Sequence, residues 1–201
     1  MKNLLLFVIF SICVFIGNAQ FSNAPVSKST SGPGIVIVYA DSVARIEPIK
    51  YYKTKAGSGA LLSGLTYGLA KTKSKNYYKG ATSPNKVKVG DKFRFTFGEL
   101  PPAEVVSMYM FMPGHTIRNF SLIEFEKKKK ERELVTGEFG AWTGYSGGVN
   151  ESNNIEFTVE EIEPNVYEAT ITKGLPGEYG FVFTDNGVGA YQSVFDFSLC
   201  E

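Results

Sequence analysis

Few residues in this chain are equipped for chemistry: 201 positions hold one histidine, one tryptophan and two cysteines. Gly144-Tyr145-Ser146-Gly147-Gly148 matches G-x-S-x-G, the pattern that sets a nucleophilic serine on a strand-to-helix turn. A serine of that kind is followed in the chain by its acid and then its histidine, whereas His115 precedes Ser146. Residues 149–154 are mostly turn-formers rather than a helix start. Without a general base the hydroxyl stays an unactivated alcohol, so the stretch reads as a Gly-rich loop.

Met108, Met110, Met112 and His115 form M-x-M-x-M-x-x-H. Thioether and imidazole ligands suit Cu(I), and a periplasmic Cu(I)-binding protein is one reading. On a strand the three methionines share a face at intervals of about 6.8 Å, from which two could reach one ion. The plainer reading is a methionine stripe filling a core, ended by Pro113-Gly114. Lys127 to Lys130 could meet a polyanion, but Glu124, Glu126, Glu131 and Glu133 surround them, which describes a solvated hairpin tip. Glu160, Glu161 and Glu163 are carboxylates of the kind a glycosidase pairs, yet no spacing singles out two. Asn119-Phe120-Ser121 and Asn150-Glu151-Ser152 match N-glycosylation sequons, which act only in a eukaryotic secretory pathway. No residue is assigned a catalytic, cofactor-binding or metal-binding role, and the chain is read as a non-enzyme without a cofactor.

The elements that would position these groups begin with a leader. Lys2 precedes an apolar run from Leu4 to Ile16, and Gly17 and Ala19 are small, so residues 1–19 read as a secretory signal peptide cleaved near Ala19-Gln20. The run is shorter than the ~20 residues a spanning helix needs. Cys13 follows Ile12 inside the run, which is not the setting of a lipidated cysteine. Leader removal leaves Cys200 as the only thiol, either idle or an intermolecular link, so no internal disulfide can form. Stability must then come from an apolar core, for which about 180 residues suffice. The localisation expected is secreted, periplasmic or at the cell envelope.

Residues 20–34 are rich in Ser, Pro and Gly and read as a flexible tether. Residues 35–201 read as a single β-sandwich domain. Ile35–Tyr39 and Val43–Ile49 look like a hairpin about Asp41-Ser42. Phe93, Phe95 and Phe97 alternate with Arg94 and Thr96, and Val105–Met112 is a further strand-like run. Three more pairs flank turn chemistry: 120–126 with 131–138, 155–161 with 166–171, and 179–183 with 191–197. About nine strands result, at the spacing of a sandwich. Lys71, Lys73 and Lys75 alternate with small polar residues, as in an edge strand.

Residues 56–70 stand apart. Leu61, Leu62, Leu65 and Leu69 have helical spacing, but the interleaved glycines oppose a helix, so a short helix and a loop are both open. Gly64 and Gly68 form G-x-x-x-G, and Lys53, Lys55, Lys71, Lys73 and Lys75 flank the segment. A membrane-surface or self-assembling role follows from that reading. The Gly140–Asn154 loop, with Trp142 and Tyr145, offers aromatic surface for a glycan or a protein.

Lys79-Gly80-Ala81, Ser83-Pro84, Phe120-Ser121-Leu122, Arg132, Leu175-Pro176-Gly177-Glu178-Tyr179 and Phe195-Asp196-Phe197 occur in an order that resembles a recurrent bacterial secreted module. That module is found mostly in proteins of unknown function. The resemblance spans about residues 79–198 and implies an antiparallel immunoglobulin-like β-sandwich with no activity attached. The expected function is to bind or scaffold at the cell envelope, with an envelope protein or glycan as partner and no nucleic acid. The net charge of +1 conceals a division: residues 20–94 carry 13 basic and 3 acidic side chains, and residues 95–201 carry 7 and 17. The parts are thus net +10 and −10: if their strands pair, the charges mostly cancel across the sandwich, and if they segregate, the molecule is dipolar.

Overall fold

The computed structural model describes residues 32–56, 72–99, 109–140, 144–147, 154–184 and 193–201. β1 (Gly34–Val38) and β2 (Val43–Ile46) are followed by β3 (Ile49–Lys50) and β4 (Lys53–Ala56). β5 (Thr72–Lys79), β6 (Lys86–Lys88) and β7 (Lys92–Thr96) come next. Two short 3-10 turns, η1 (Tyr109–Phe111) and η2 (Ile117–Asn119), lead to β8 (Phe120–Lys127), β9 (Glu131–Gly140) and β10 (Gly144–Gly147). β11 (Asn154–Ile155), β12 (Thr158–Glu163), β13 (Val166–Thr170), β14 (Gly177–Phe183) and β15 (Ser193–Cys200) complete the described elements.

One sheet runs β12-β13-β7-β1-β2. The other runs β3-β15-β14-β8-β9-β5-β4, with β6 on β15, β11 on β8 and β10 on β9. Among the described pairs all are antiparallel except β6 with β15. The chain is therefore all-β and consistent with a sandwich, its larger sheet curling into a half-barrel.

Alternation on β7 explains the layering. Phe93, Phe95 and Phe97 point inward and are fully or almost fully buried, while Arg94 and Thr96 sit on the other face. Phe93 and Phe95 each meet the Phe181 ring edge-on at 5.0 Å, and Phe95 meets Phe120 at 5.2 Å. Phe197, Phe195, Tyr179 and Leu122 complete this inter-sheet core with Ile35 and Ile37. Each buried Phe contributes about 1.5–3 kcal/mol relative to exposure.

The middle of the larger sheet is buried on both faces. β14 and β15 each have six consecutive buried residues. Their odd-numbered residues enter the inter-sheet core. Their even-numbered residues face a second, smaller core of Tyr78, Ile123, Phe125, Leu134, Val182 and Val194. This second core lies within the curl, because β8 and β9 pair only at Glu126–Glu133 and Lys127–Arg132 and then diverge. From there β8 continues against β14, and β9 continues against β5.

All four expected hairpins have observed counterparts: β1–β2, β8–β9, β12–β13 and β14–β15. Asn165 turns the third with φ 64°. Three expectations need correction. Fifteen strands are seen among the described residues rather than about nine, because β3, β6, β10 and β11 are too short to show alternation. Of the Lys71–Lys75 stretch, Lys71 lies outside the described residues and the rest is no edge: β5 lies between β4 and β9, with Lys73 and Lys75 on a face rather than a rim. The described end of the Val105–Met112 run is the 3-10 turn η1, not a strand; residues 100–108 lie outside the described residues.

Gly180 shows how tightly the curl closes. A Cβ there would lie 2.4 Å from Val194 Cγ1, 3.2 Å from Phe125 Cε2 and 3.3 Å from the Phe195 carbonyl oxygen. Gly180→Ala is expected to cost about 1–3 kcal/mol, read as a lower urea midpoint at an unchanged slope. An unaltered midpoint would show that the second core is loosely packed.

Candidate functional site

Arg132 is the largest fully buried side chain, 2% exposed, and it faces into the curl from β9. A guanidinium there must be paired, since an uncompensated buried charge is costly. Its Nη1 donates to Asp196 Oδ2 on β15 and lies 3.8 Å from Glu178 Oε2 on β14. Its Nε and Nη2 donate to the Gly80 and Lys79 carbonyls at 3.2 and 3.3 Å. The guanidinium lies 5.3 Å from the Phe125 ring centroid. Glu178 accepts the Ser83 N–H at 2.7 Å and the Ser198 hydroxyl at 2.9 Å. The Asp196 carbonyl accepts from Ser83 Oγ at 3.1 Å and Asn85 Nδ2 at 2.9 Å.

Gly80, Ser83, Arg132, Glu178 and Asp196, scattered over 117 positions among the motif residues, thus meet in one place. Their carboxylates are occupied by protein donors and buried, which suits joining strands rather than turning over a substrate. Arg132→Met is expected to destabilise the protein by about 3–5 kcal/mol in urea unfolding, because it strands two buried carboxylates. The triple variant Arg132→Met/Glu178→Gln/Asp196→Asn should recover part of that loss.

Opposite charges from the two parts of the chain meet on the outer faces. Lys75 of β5 pairs with Glu133 of β9, and Lys53 lies 3.9 Å from Glu131. Burial alone would raise the Glu133 carboxyl, but the hydrogen bond and charge of Lys75 hold it below the ordinary range. On the smaller sheet, Lys92 and Arg94 each bond Glu168 at 2.7 Å. Those bonds depress the Glu168 carboxyl, against the opposing effect of burial. A depressed folded value means that the stabilisation is complete above the unfolded carboxyl value of about 4.3 and is lost as pH falls through the folded one. Melting curves of Glu168→Gln and the parent should differ at pH 7 and converge in acid. A gap of constant size down to pH 2 would dismiss this account.

The described surface also holds a cleft of about 670 Å3, lined by Thr116, Ile117, Arg118, Phe120, Phe157, Val159, Glu161 and Tyr167. It opens between the sheets, where β12 overhangs the start of β8. One wall is set by η2: Thr116 Oγ1 accepts the Arg118 N–H at 3.3 Å, and Asn119 Oδ1 accepts the Thr116 N–H at 2.8 Å. This reciprocal cap fixes the turn that presents Arg118 and feeds Phe120 into β8. The other wall comes from β12 and β13, whose register places Val159 against Ala169 and Glu161 against Tyr167. Burial lifts the Tyr167 hydroxyl above its ordinary value; the charge of Glu161 and a hydrogen bond to it add, and Arg118 offsets part. A second cleft of about 360 Å3, lined by Ile155, Glu156, Phe157, Thr158 and Thr172, shares Phe157.

β12 borders both clefts. Among the described residues it pairs with β13 alone, and all six of its side chains are exposed, Val159 and Ile162 included. An apolar hollow with a few placed polar groups beside an open strand edge can bind, and it holds no nucleophile–base pair.

The other expected features are distributed as follows. Gly144–Gly147, most of the G-x-S-x-G match, is strand β10, with Ser146 opposite Glu138, not a strand-to-helix turn. Met110 is buried in the core, Met112 is exposed, and the His115 ring packs 5.0 Å from Phe183; Met108 lies outside the described residues. Lys127–Lys130 occupy the β8–β9 tip, where Lys128 pairs with Glu126. Cys200 is a free thiol, and Asn119 of the first sequon serves as the cap of η2.

Residues 57–70 and most of the Gly140–Asn154 loop, Trp142 included, lie outside the described residues. The strands around them are informative. Ala56 faces Ser74, Thr72 faces Phe139, and Gly144 faces Gly140, so both connections depart from one end of the β4-β5-β9-β10 sheet. Among the described residues no helix is long and apolar enough to cross a membrane. The cleft itself was not found by sequence reasoning. The available signals were the T-x-x-N cap and an acidic strand, Thr158–Glu163, with apolar residues at 159 and 162. In comparisons with known proteins, no family model, curated protein or solved structure matches the chain.

Proposed function

We propose that this chain is a secreted or periplasmic, non-enzymatic β-sandwich of immunoglobulin-like type that binds a partner at the cell envelope. The leader-like first 19 residues support the compartment. One observation carries the binding reading: the cleft beside β12 is walled by Phe120, Phe157 and Tyr167 and carries Arg118 and Glu161 as opposite charges. Apolar walls with a few placed polar groups are the usual build of a recognition site. The main buried ionic group, around Arg132, is consumed in holding strands together, which leaves the cleft as the exposed feature with binding character.

Sedimentation of the mature protein with isolated bacterial envelopes tests this reading. The parent should co-sediment saturably, and Phe157→Ala or Tyr167→Ala should weaken retention about tenfold or more at unchanged secondary structure. A parent that stays in solution, or variants retained as well as the parent, would overturn it.

A further inference from the structure

The clefts and the open strand lie along one line, and together they specify more than a general binding surface. We infer that β12 is a docking edge for an extended, cationic peptide of a partner protein, which adds as a strand beside β12 and sets alternate apolar side chains into the cleft. The inference rests on the proposed binding reading and deepens it by naming the partner's chemistry.

Three observations lead there. First, β12 is bonded on one side only among the described residues, so its outer N–H and C=O groups are available to another strand. Second, the hollow is continuous with that edge: Val159 and Glu161 belong both to β12 and to the cleft, and Phe157 precedes β12 and lines both clefts. Side chains of an added strand alternate in direction, so every second one would face these walls. Third, the edge is strongly acidic, with Glu156, Glu160, Glu161 and Glu163 all exposed, and Lys92 and Arg94 are engaged by Glu168. Two copies of β12 brought edge to edge would oppose glutamates, which disfavours self-pairing and selects a strand bearing Lys or Arg.

The experiment uses residues 20–201 and four ten-residue probes. The first alternates Lys with Val. The second replaces Lys by Glu. The third keeps the composition of the first but groups its lysines. The fourth alternates N-methylated Lys with Pro and so has no internal backbone N–H to donate to a neighbouring strand. Fluorescence anisotropy of labelled peptides gives affinity, and amide NMR shifts locate the contact. The Lys–Val peptide should bind, with shifts on β12 and around Phe157, and the other three should bind at least about tenfold more weakly. Glu160→Lys/Glu163→Lys, at exposed positions outside the cleft lining, should reverse the preference between the Lys and Glu peptides.

Equal binding of the Lys–Val peptide to that variant, equal binding of the Pro peptide, or shifts that track protein self-association would each overturn the inference. If no peptide binds while envelope retention still depends on Phe157, the strand partner falls and the cleft reading stands. If envelope retention also fails, both fall.

Discussion

The fold depends on one buried cation. Arg132 cannot stay inside the curl without anionic partners, and its partners come from strands far apart in sequence: Asp196 from β15 and Glu178 from β14, with carbonyls of Lys79 and Gly80 completing the shell. Such an ion group adds little net stability over an apolar filling, but it tolerates few alternatives, because any misplacement leaves a charge unpaired. It therefore acts as a register device. β9 can close over β14 and β15 only in the alignment that brings Arg132 to Asp196, and Ser83 and Asn85 tie the segment before β6 to the same point.

The shape of the molecule follows from that closure. Because β9 bends across the far face of the larger sheet, β14 and β15 are covered on both sides, and nearly every position along them carries a buried side chain, Glu178, Asp196 and Ser198 among them. Gly180 is the exception that makes room, since a side chain there would strike Val194 and Phe125. The smaller sheet covers only one side, and its last strand extends past the rings that would support it. β12 is thereby left with exposed side chains on both faces, and the space beneath it becomes the cleft. The cleft is in this sense a by-product of how the larger sheet curls.

Sequence reasoning reached the strands whose alternation is long and whose turns carry Pro, Asn or Gly. Phe93-Arg94-Phe95 on β7 and Pro164-Asn165 between β12 and β13 are examples. It did not reach two-residue strands such as β3 and β11, which exist only because a longer neighbour offers them a partner. It misplaced β5, since a strand with one charged face reads alike whether its neighbours number one or two; the acids that answer its lysines stand on β9, some 60 residues later. The motif residues Ser83, Arg132, Glu178 and Asp196 were visible one by one, but their common purpose is a long-range contact that no local period encodes. The cleft was hidden for a related reason: its walls come from η2, β8, β12 and β13, and only the pairing of sheets brings them together.

The charge division of the chain acquires a physical meaning from the pairings. Strands of the basic part lie against strands of the acidic part four times, β5 with β9, β7 with β13, and β3 and β6 with β15; at the first two the charges meet as Lys75–Glu133 and Lys92/Arg94–Glu168, with Lys53 of β4 reaching Glu131. Cancellation works where a strand has neighbours of the other part on its flank. β12 is acidic and, among the described residues, has only β13, itself from the acidic part, beside it. The two basic side chains that lie across β13, Lys92 and Arg94, are already held by Glu168. The topology thus leaves negative charge concentrated on a strand edge that is also open and apolar beneath. Repulsion along that row keeps the edge from joining its own copies, and the same field draws a cationic strand toward it.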